Sequence, residues 1–226
     1  VGATALLPLV AKELWFTGEA AIVGTSERQH QVALELLAAW NGQMDEHIPE
    51  PLIYAAWMRQ LQTRLIRDDL ANLTDHFPRP DPVFLERVFR NIEGAASWCD
   101  IKQSTRPETC AGIARMSLDA AILELTELYG DRIDSWRWGE AHQAHHDHEV
   151  LGKVPLLAWF ANIRQDTSGG DHTLMRARTS GTGVAPYANV HAAGFRSVID
   201  FSDPDSSVYI ISTGQSGHFL SRYYDD

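Results

Sequence analysis

The apolar pattern of this chain changes period at Gly130, and that change restricts the fold more than any other feature. Before it, apolar residues recur at intervals of three and four, the spacing of helices that bury one face. Arg28 to Trp40 carries Val32, Leu36 and Leu37 in this way and stops at Asn41-Gly42. Pro51 suits a first helical turn, and Ile53, Trp57, Leu61 and Leu65 then form one stripe as far as Ile66. Asp81-Pro82 reads as an N-cap with proline at the first helical position, leading Phe84, Val88 and Phe89. Thr105-Arg106-Pro107-Glu108 has the spacing of a capping box, opening a helix through Met116, Ile122 and Leu125 to a stop at Gly130. After Gly130 short alternating or β-branched runs take over: Leu174 to Arg178, Gly194 to Phe201 and Ser207 to Ser212. Turn chemistry separates them at Ser168-Gly169-Gly170-Asp171, Ser202-Asp203-Pro204-Asp205 and Gly214-Gln215-Ser216-Gly217. Helices followed by strands predict an α+β chain, with a mainly helical region 1–130 and a Gly- and aromatic-rich region 131–226 that carries the strands.

A chain of 226 residues is long enough to bury a real core. Its net charge of −11 repels phosphate backbones, so nucleic acid is not an expected partner. No apolar run approaches the roughly 20 residues that span a bilayer. The opening Val1-Gly2-Ala3-Thr4-Ala5-Leu6-Leu7-Pro8 has no initiator Met and no basic segment, which predicts the interior of a longer chain and not a signal peptide.

Chemistry-bearing residues concentrate in two places. Glu140 to His148 holds four histidines and two carboxylates within nine residues. On a helix His142, His145 and His146 would share a face, where neutral imidazoles could bind a transition metal. The order is not that of the zincins, because no Glu directly follows the first His. The competing reading is structural: Trp136, Trp138 and Gly139 enter a tight corner, and His142 bonds a buried carbonyl or carboxylate. The second place is Gly214-Gln215-Ser216-Gly217-His218. A nucleophile elbow needs glycines two residues before and two after the serine, and Gly217 follows by one, so a turn is expected instead. The 168–171 loop lacks the Lys-Ser/Thr of a P-loop. Cys99 and Cys110 form a disulfide if the chain is exported and are two buried thiols if it is cytosolic.

At these same segments the sequence resembles the penicillin amidase family of penicillin, cephalosporin and acyl-homoserine-lactone acylases. Leu37-Ala38-Ala39-Trp40-Asn41-Gly42-Gln43-Met44 is similar to the family's L-x-x-W-[DN]-G-x-M helix end. Trp136-Arg137-Trp138-Gly139 with His142 is similar to W-x-W-G-x-x-H, and Gly169-Gly170-Asp171 follows. Phe195-Arg196-Ser197-Val198-Ile199-Asp200 is similar to [YF]-R-x-[VI]-x-D, and Gly214-Gln215-Ser216-Gly217-His218 with Ser221, Tyr224 and Asp226 to the family's ending. Asn41, Ala192, Phe219 and Arg222-Tyr223 depart from the usual residues. The resemblance implies the C-terminal part of the large subunit of an N-terminal-nucleophile amidohydrolase, completing a four-layer αββα core. It implies a self-cleaving precursor whose new N-terminal Ser attacks a linear amide, its own α-amine acting as base. That Ser and the oxyanion groups would lie upstream, since Val1 cannot serve. No catalytic, metal or cofactor residue is therefore expected on this chain, and alone it should be inactive. Trp136, Trp138, Gly139, His142, Gly214, Gln215, Ser216 and Gly217 are expected to be structural. The implied partners are the small subunit, the N-terminal part of the large subunit and a small amide substrate. Family members are exported, which implies a periplasmic or secreted protein and a Cys99–Cys110 disulfide.

Overall fold

The structure is a computed structural model and describes residues 2–12, 14 and 27–225. Its helical part comprises α1 (Gly2–Ala11), α2 (Glu27–Ala39), α3 (Glu50–Leu70), α4 (Pro82–Phe89) and α5 (Cys110–Tyr129). Helix α3 lies along α5 at the centre. Its stripe Ile53, Trp57, Leu61 and Leu65 is buried as expected, and the Trp57 indole N–H donates to Ala114 O at 2.8 Å. Pro51 occupies the first turn of α3, where its missing N–H costs nothing. On α2 the buried face is His30, Ala33, Leu34 and Leu37, while Val32 and Leu36 lie half-buried at its edge. His30 Nδ1 meets Asp119 Oδ1 at 2.6 Å, a polar tie between α2 and α5 that apolar spacing does not reveal.

The caps decide where helices begin. Asp81 accepts from the N–H groups of Val83 and Phe84 at 2.9 and 3.3 Å, as its sequence context predicts. The expected capping box at Thr105 is not formed. The N-cap is Thr109, whose hydroxyl accepts from Gly112 N–H at 3.1 Å. Glu108 turns back instead and accepts from Ile101 N–H at 2.9 Å, which with Ser104 holds its carboxyl below the usual range. That loop is closed by a disulfide between Cys99 and Cys110, Cα atoms 5.0 Å apart. Gly130 ends α5 with φ near 85°, accessible to glycine at no steric cost.

Beyond α5 the chain forms α6 (Trp138–Ala141), β1 (Ala144–His146), α7 (Pro155–Ala161), β2 (Ile163–Gln165), β3 (Ala177–Thr179), β4 (Asn189–Ala192), β5 (Phe195–Val198) and β6 (Val208–Ile211). Strands β2-β1-β4-β3 make one sheet. The β1–β2 and β3–β4 pairs are antiparallel and the β1–β4 pair is parallel. Strands β5 and β6 make a separate antiparallel hairpin with Phe195 opposite Ile211. The expected strand at Leu174 to Arg178 starts later, because Thr173 Oγ1 accepts from Gly170 N–H and donates to Met175 O, curling that segment into a turn. The expected run to Phe201 stops at Val198. Asp200 Oδ1 accepts from the Ser202 amide and hydroxyl, at 2.8 and 2.7 Å, and bends the chain. Among the described residues no helix is long and apolar enough to cross a membrane.

Candidate functional site

Three of the five family-like motifs converge on one corner between the helices and the four-stranded sheet. Trp138 N–H donates to Ile48 O at 3.1 Å and Gly139 N–H to Glu46 O at 2.9 Å, pinning α6 to the segment after α2. The Trp138 indole N–H donates to Gly169 O at 2.9 Å, and Gly169 N–H donates to Met44 O at 2.7 Å. Ser168 closes the circuit, donating to Glu46 Oε2 at 2.9 Å while accepting from Glu46 N–H. The 40–44, 136–142 and 168–171 motifs are thus one hydrogen-bonded unit. Gly139 is required by contact: a Cβ there would lie 2.8 Å from Glu46 Cβ and 2.9 Å from Asp166 Cβ. Gly139→Ala is expected to cost about 1–3 kcal/mol by overpacking. A chemical denaturation midpoint within error of the parent would refute this.

His142 lies at the centre, fully buried, its ring stacked on Trp138 with centroids 4.2 Å apart. Its Nδ1 stands 2.6 Å from Tyr187 O. A carbonyl only accepts, so Nδ1 carries the proton. Burial depresses the His142 pKa, outweighing the opposing pull of the Tyr187 carbonyl and Asp171. The folded state therefore resists a proton that the unfolded chain takes up near pH 6.5. Stability is full above that pH and falls as pH drops towards the depressed folded value. His142→Ala is expected to cost about 1–3 kcal/mol at pH 8 by stranding the Tyr187 carbonyl. The gap from the parent should narrow at pH 5, where the parent has lost its His142 contribution. A gap that widens in acid would overturn the assignment.

Tyr187 joins this corner to the helices. Its hydroxyl donates to Glu124 Oε1 at 2.8 Å. Glu124 also pairs with Arg59 and accepts from Gln60 Nε2 at 2.6 Å. Burial pushes the Tyr187 phenol pKa up strongly, so it stays a donor. Beside it, Thr167 donates to His142 O at 2.5 Å and receives the Asn189 amide at 3.1 Å. Glu124, Tyr187 and Asn189 were missed in the sequence, which offers no spacing that links residues so far apart.

The structure does not gather His142, His145 and His146 on a helical face. Helix α6 ends before His142, and the other two lie on β1, where neighbours point to opposite sides. His145 is exposed and pairs across the sheet with Arg164. Its pKa is lowered first by desolvation and then by the Arg164 charge. His148 caps a turn, its Nδ1 accepting from the Val150 and Leu151 amides at 3.2 Å. Among the described residues, no group of three or more His, Cys, Asp or Glu side chains is placed to hold a metal ion. The 214–217 turn is half-buried to exposed and lies beside the 145–149 stretch. Ser216 Oγ accepts from His218 N–H at 3.1 Å, while His218 Nδ1 accepts from Leu220 N–H, so the imidazole is turned to its own loop and not to the serine.

The chain is thus mixed helix and strand, with three sequence motifs bonded together at one corner. The model of one family, penicillin amidase, matches residues 1–226, and the chain belongs to that family. Among curated proteins it is 26% identical over 206 residues to the acyl-homoserine lactone acylase QuiP of Pseudomonas syringae pv. syringae, covering 85% of this chain and 24% of that protein. It is 27% identical over 194 residues to the penicillin acylase 2 proenzyme of a Pseudomonas species, covering 85% of this chain and 24% of the proenzyme. The chain thus spans about a quarter of the length of these relatives, at 24% in both.

Proposed function

We propose that this chain is the C-terminal part of the large subunit of a penicillin-acylase-type amidohydrolase, with the N-terminal Ser nucleophile elsewhere in the longer protein. The family match along the whole chain carries the reading. The corner supports it, because its Ser, Thr and His groups are engaged in holding three motifs together. The β5–β6 hairpin supports the αββα core. Phe195 and Val198 on one strand, and Val208, Tyr209, Ile210 and Ile211 on the other, are all exposed. A two-stranded hairpin is marginal in water, and an apolar run on both faces suits a strand covered on both sides. The helical region 1–130 and the strand-bearing region 131–226 both join that core in this reading. The partners are the small subunit and the N-terminal part of the large subunit, as suits a relative named a proenzyme. The substrate is a linear amide, the side-chain acyl group of a penicillin, a related β-lactam or an acyl-homoserine lactone. The disulfide favours the periplasm or a secreted protein.

The test compares two polypeptides. The natural longer protein is expected to show two chains by intact mass, the larger starting with Ser, and to release acyl groups from an acyl-homoserine lactone or a penicillin. The 226-residue chain alone should release neither. Turnover by the chain alone after rigorous purification would sink the proposal.

A further inference from the structure

The link from α2 to the corner runs through Asn41, which is exposed, and Gly42. This is the one Asn-Gly pair in the sequence: Asn72, Asn91, Asn162 and Asn189 precede Leu73, Ile92, Ile163 and Val190. A backbone nitrogen attacks the side-chain amide of the asparagine before it by closing a five-membered ring. Glycine has no Cβ to crowd that ring, whereas the stiff branched side chains after the other asparagines do.

The local geometry favours the attack. Asn41 Oδ1 accepts from Gln43 N–H at 2.9 Å, which curls the side chain back over the Gly42 peptide, towards the nitrogen it must meet. The Gln43 N–H also faces the oxygen on which negative charge grows as that nitrogen adds to Cγ. Asn189 supplies the contrast. Its Oδ1 likewise accepts from the amide two residues on, His191 N–H at 3.3 Å, but Val190 follows it and Asn189 is buried at 4% exposure in β4.

We propose that Asn41 is a site of spontaneous deamidation and that its isoaspartyl product loosens the corner. Gly42 N gives its proton to hydroxide and attacks Asn41 Cγ. The new C–N bond forms, the Cγ–Nδ2 bond breaks, and the side-chain nitrogen takes a proton from water and leaves as ammonia. Water then opens the succinimide. Attack at Cγ gives aspartate, and attack at the backbone carbonyl carbon gives isoaspartate, whose main chain runs through Cγ and is one methylene longer. That lengthened stretch lies between Trp40, whose indole N–H donates to Gln43 O at 2.8 Å, and Met44, whose carbonyl receives Gly169 N–H at 2.7 Å. The extra atom displaces Gln43 and Met44 from those partners. Gly42 has no room to absorb the shift, since a Cβ there would already stand 2.7 Å from Thr4 Cγ2. This inference does not rest on the amidase reading.

The test incubates the folded natural protein at pH 8, below its melt, and maps its peptides with time. Of this chain's five asparagines, Asn41 alone is expected to pass from amide to acid, more slowly as pH falls and hydroxide becomes scarce. Protein isoaspartyl methyltransferase with labelled S-adenosylmethionine should then label the peptide that holds residue 41. The same peptide from Asn41→Gln, whose longer side chain does not close a five-membered ring, should stay unlabelled. The isoaspartyl fraction, resolved by chromatography, should melt below the parent. Asn41→Asp carries the product's charge without the longer chain and should melt with the parent. An Asn41 that stays intact in the folded protein yet converts once unfolded would overturn the proposal, as would conversion spread evenly over the five. Conversion to aspartate without label, or an isoaspartyl fraction that melts with the parent, would overturn the effect on the corner.

Discussion

Trp138→Ala is expected to destabilise the protein by about 3–5 kcal/mol, the range for large buried aromatics. For a chain of this length that lowers Tm by roughly 6–20 °C. Trp138 is fully buried, and truncation removes three things together. It empties the apolar contact of the indole, strands Gly169 O by deleting its donor, and removes the face on which His142 stacks. The three motifs share bonds, so the losses cannot be relaxed independently. Trp138→Phe keeps a ring but not the N–H and should fall between parent and alanine variant. Thermal melts of the three proteins test this, and a loss below about 1 kcal/mol for the alanine variant would show that the corner does not hold the fold.

Removing the disulfide is the second large effect. The loop closed by Cys99 and Cys110 has a separation of 11 residues. In the chain-entropy account, closing so short a loop contributes about 3 kcal/mol by restricting the unfolded chain. Paired serine substitution, or reduction of the parent, should therefore lower Tm by roughly 6–12 °C. The loss should appear in the loop before α5 first, because the bond fixes Thr109 next to Cys110 and with it the N-cap of that helix. Two thiols freely alkylated in native protein made in an oxidising compartment would refute the bond.

These two sites differ in how far the sequence exposes them. The resemblance to a family picks out Trp136, Trp138, Gly139 and His142 and suggests a structural role for them. What it cannot supply is the partner of each. Gly169 O and Tyr187 O lie 31 and 45 residues away from the groups that bond them, and carbonyls carry no residue signature. The start of α4 was legible because Asp81 and Pro82 act on their own neighbours. The α5 cap was misread for a related reason. Thr105 and Thr109 both suit an N-cap, and the choice fell to Thr109 because the disulfide and the Glu108–Ile101 bond hold the intervening loop.

The local code of helices was therefore determined by the sequence alone: the α3 stripe, the proline first turns and the glycine stop at Gly130. Each depends on residues within one or two turns, where spacing is sufficient information. The tertiary structure decided the short strands. Ala144 to His146 and Asn189 to Ala192 have little β-branched character and pair because the corner brings their backbones side by side, Ala144 opposite Asn189. A strand of three or four residues has no intrinsic preference strong enough to declare itself. Its backbone donors and acceptors are satisfied only by distant segments, and those come into reach only once the core around Trp138 and Tyr187 has closed.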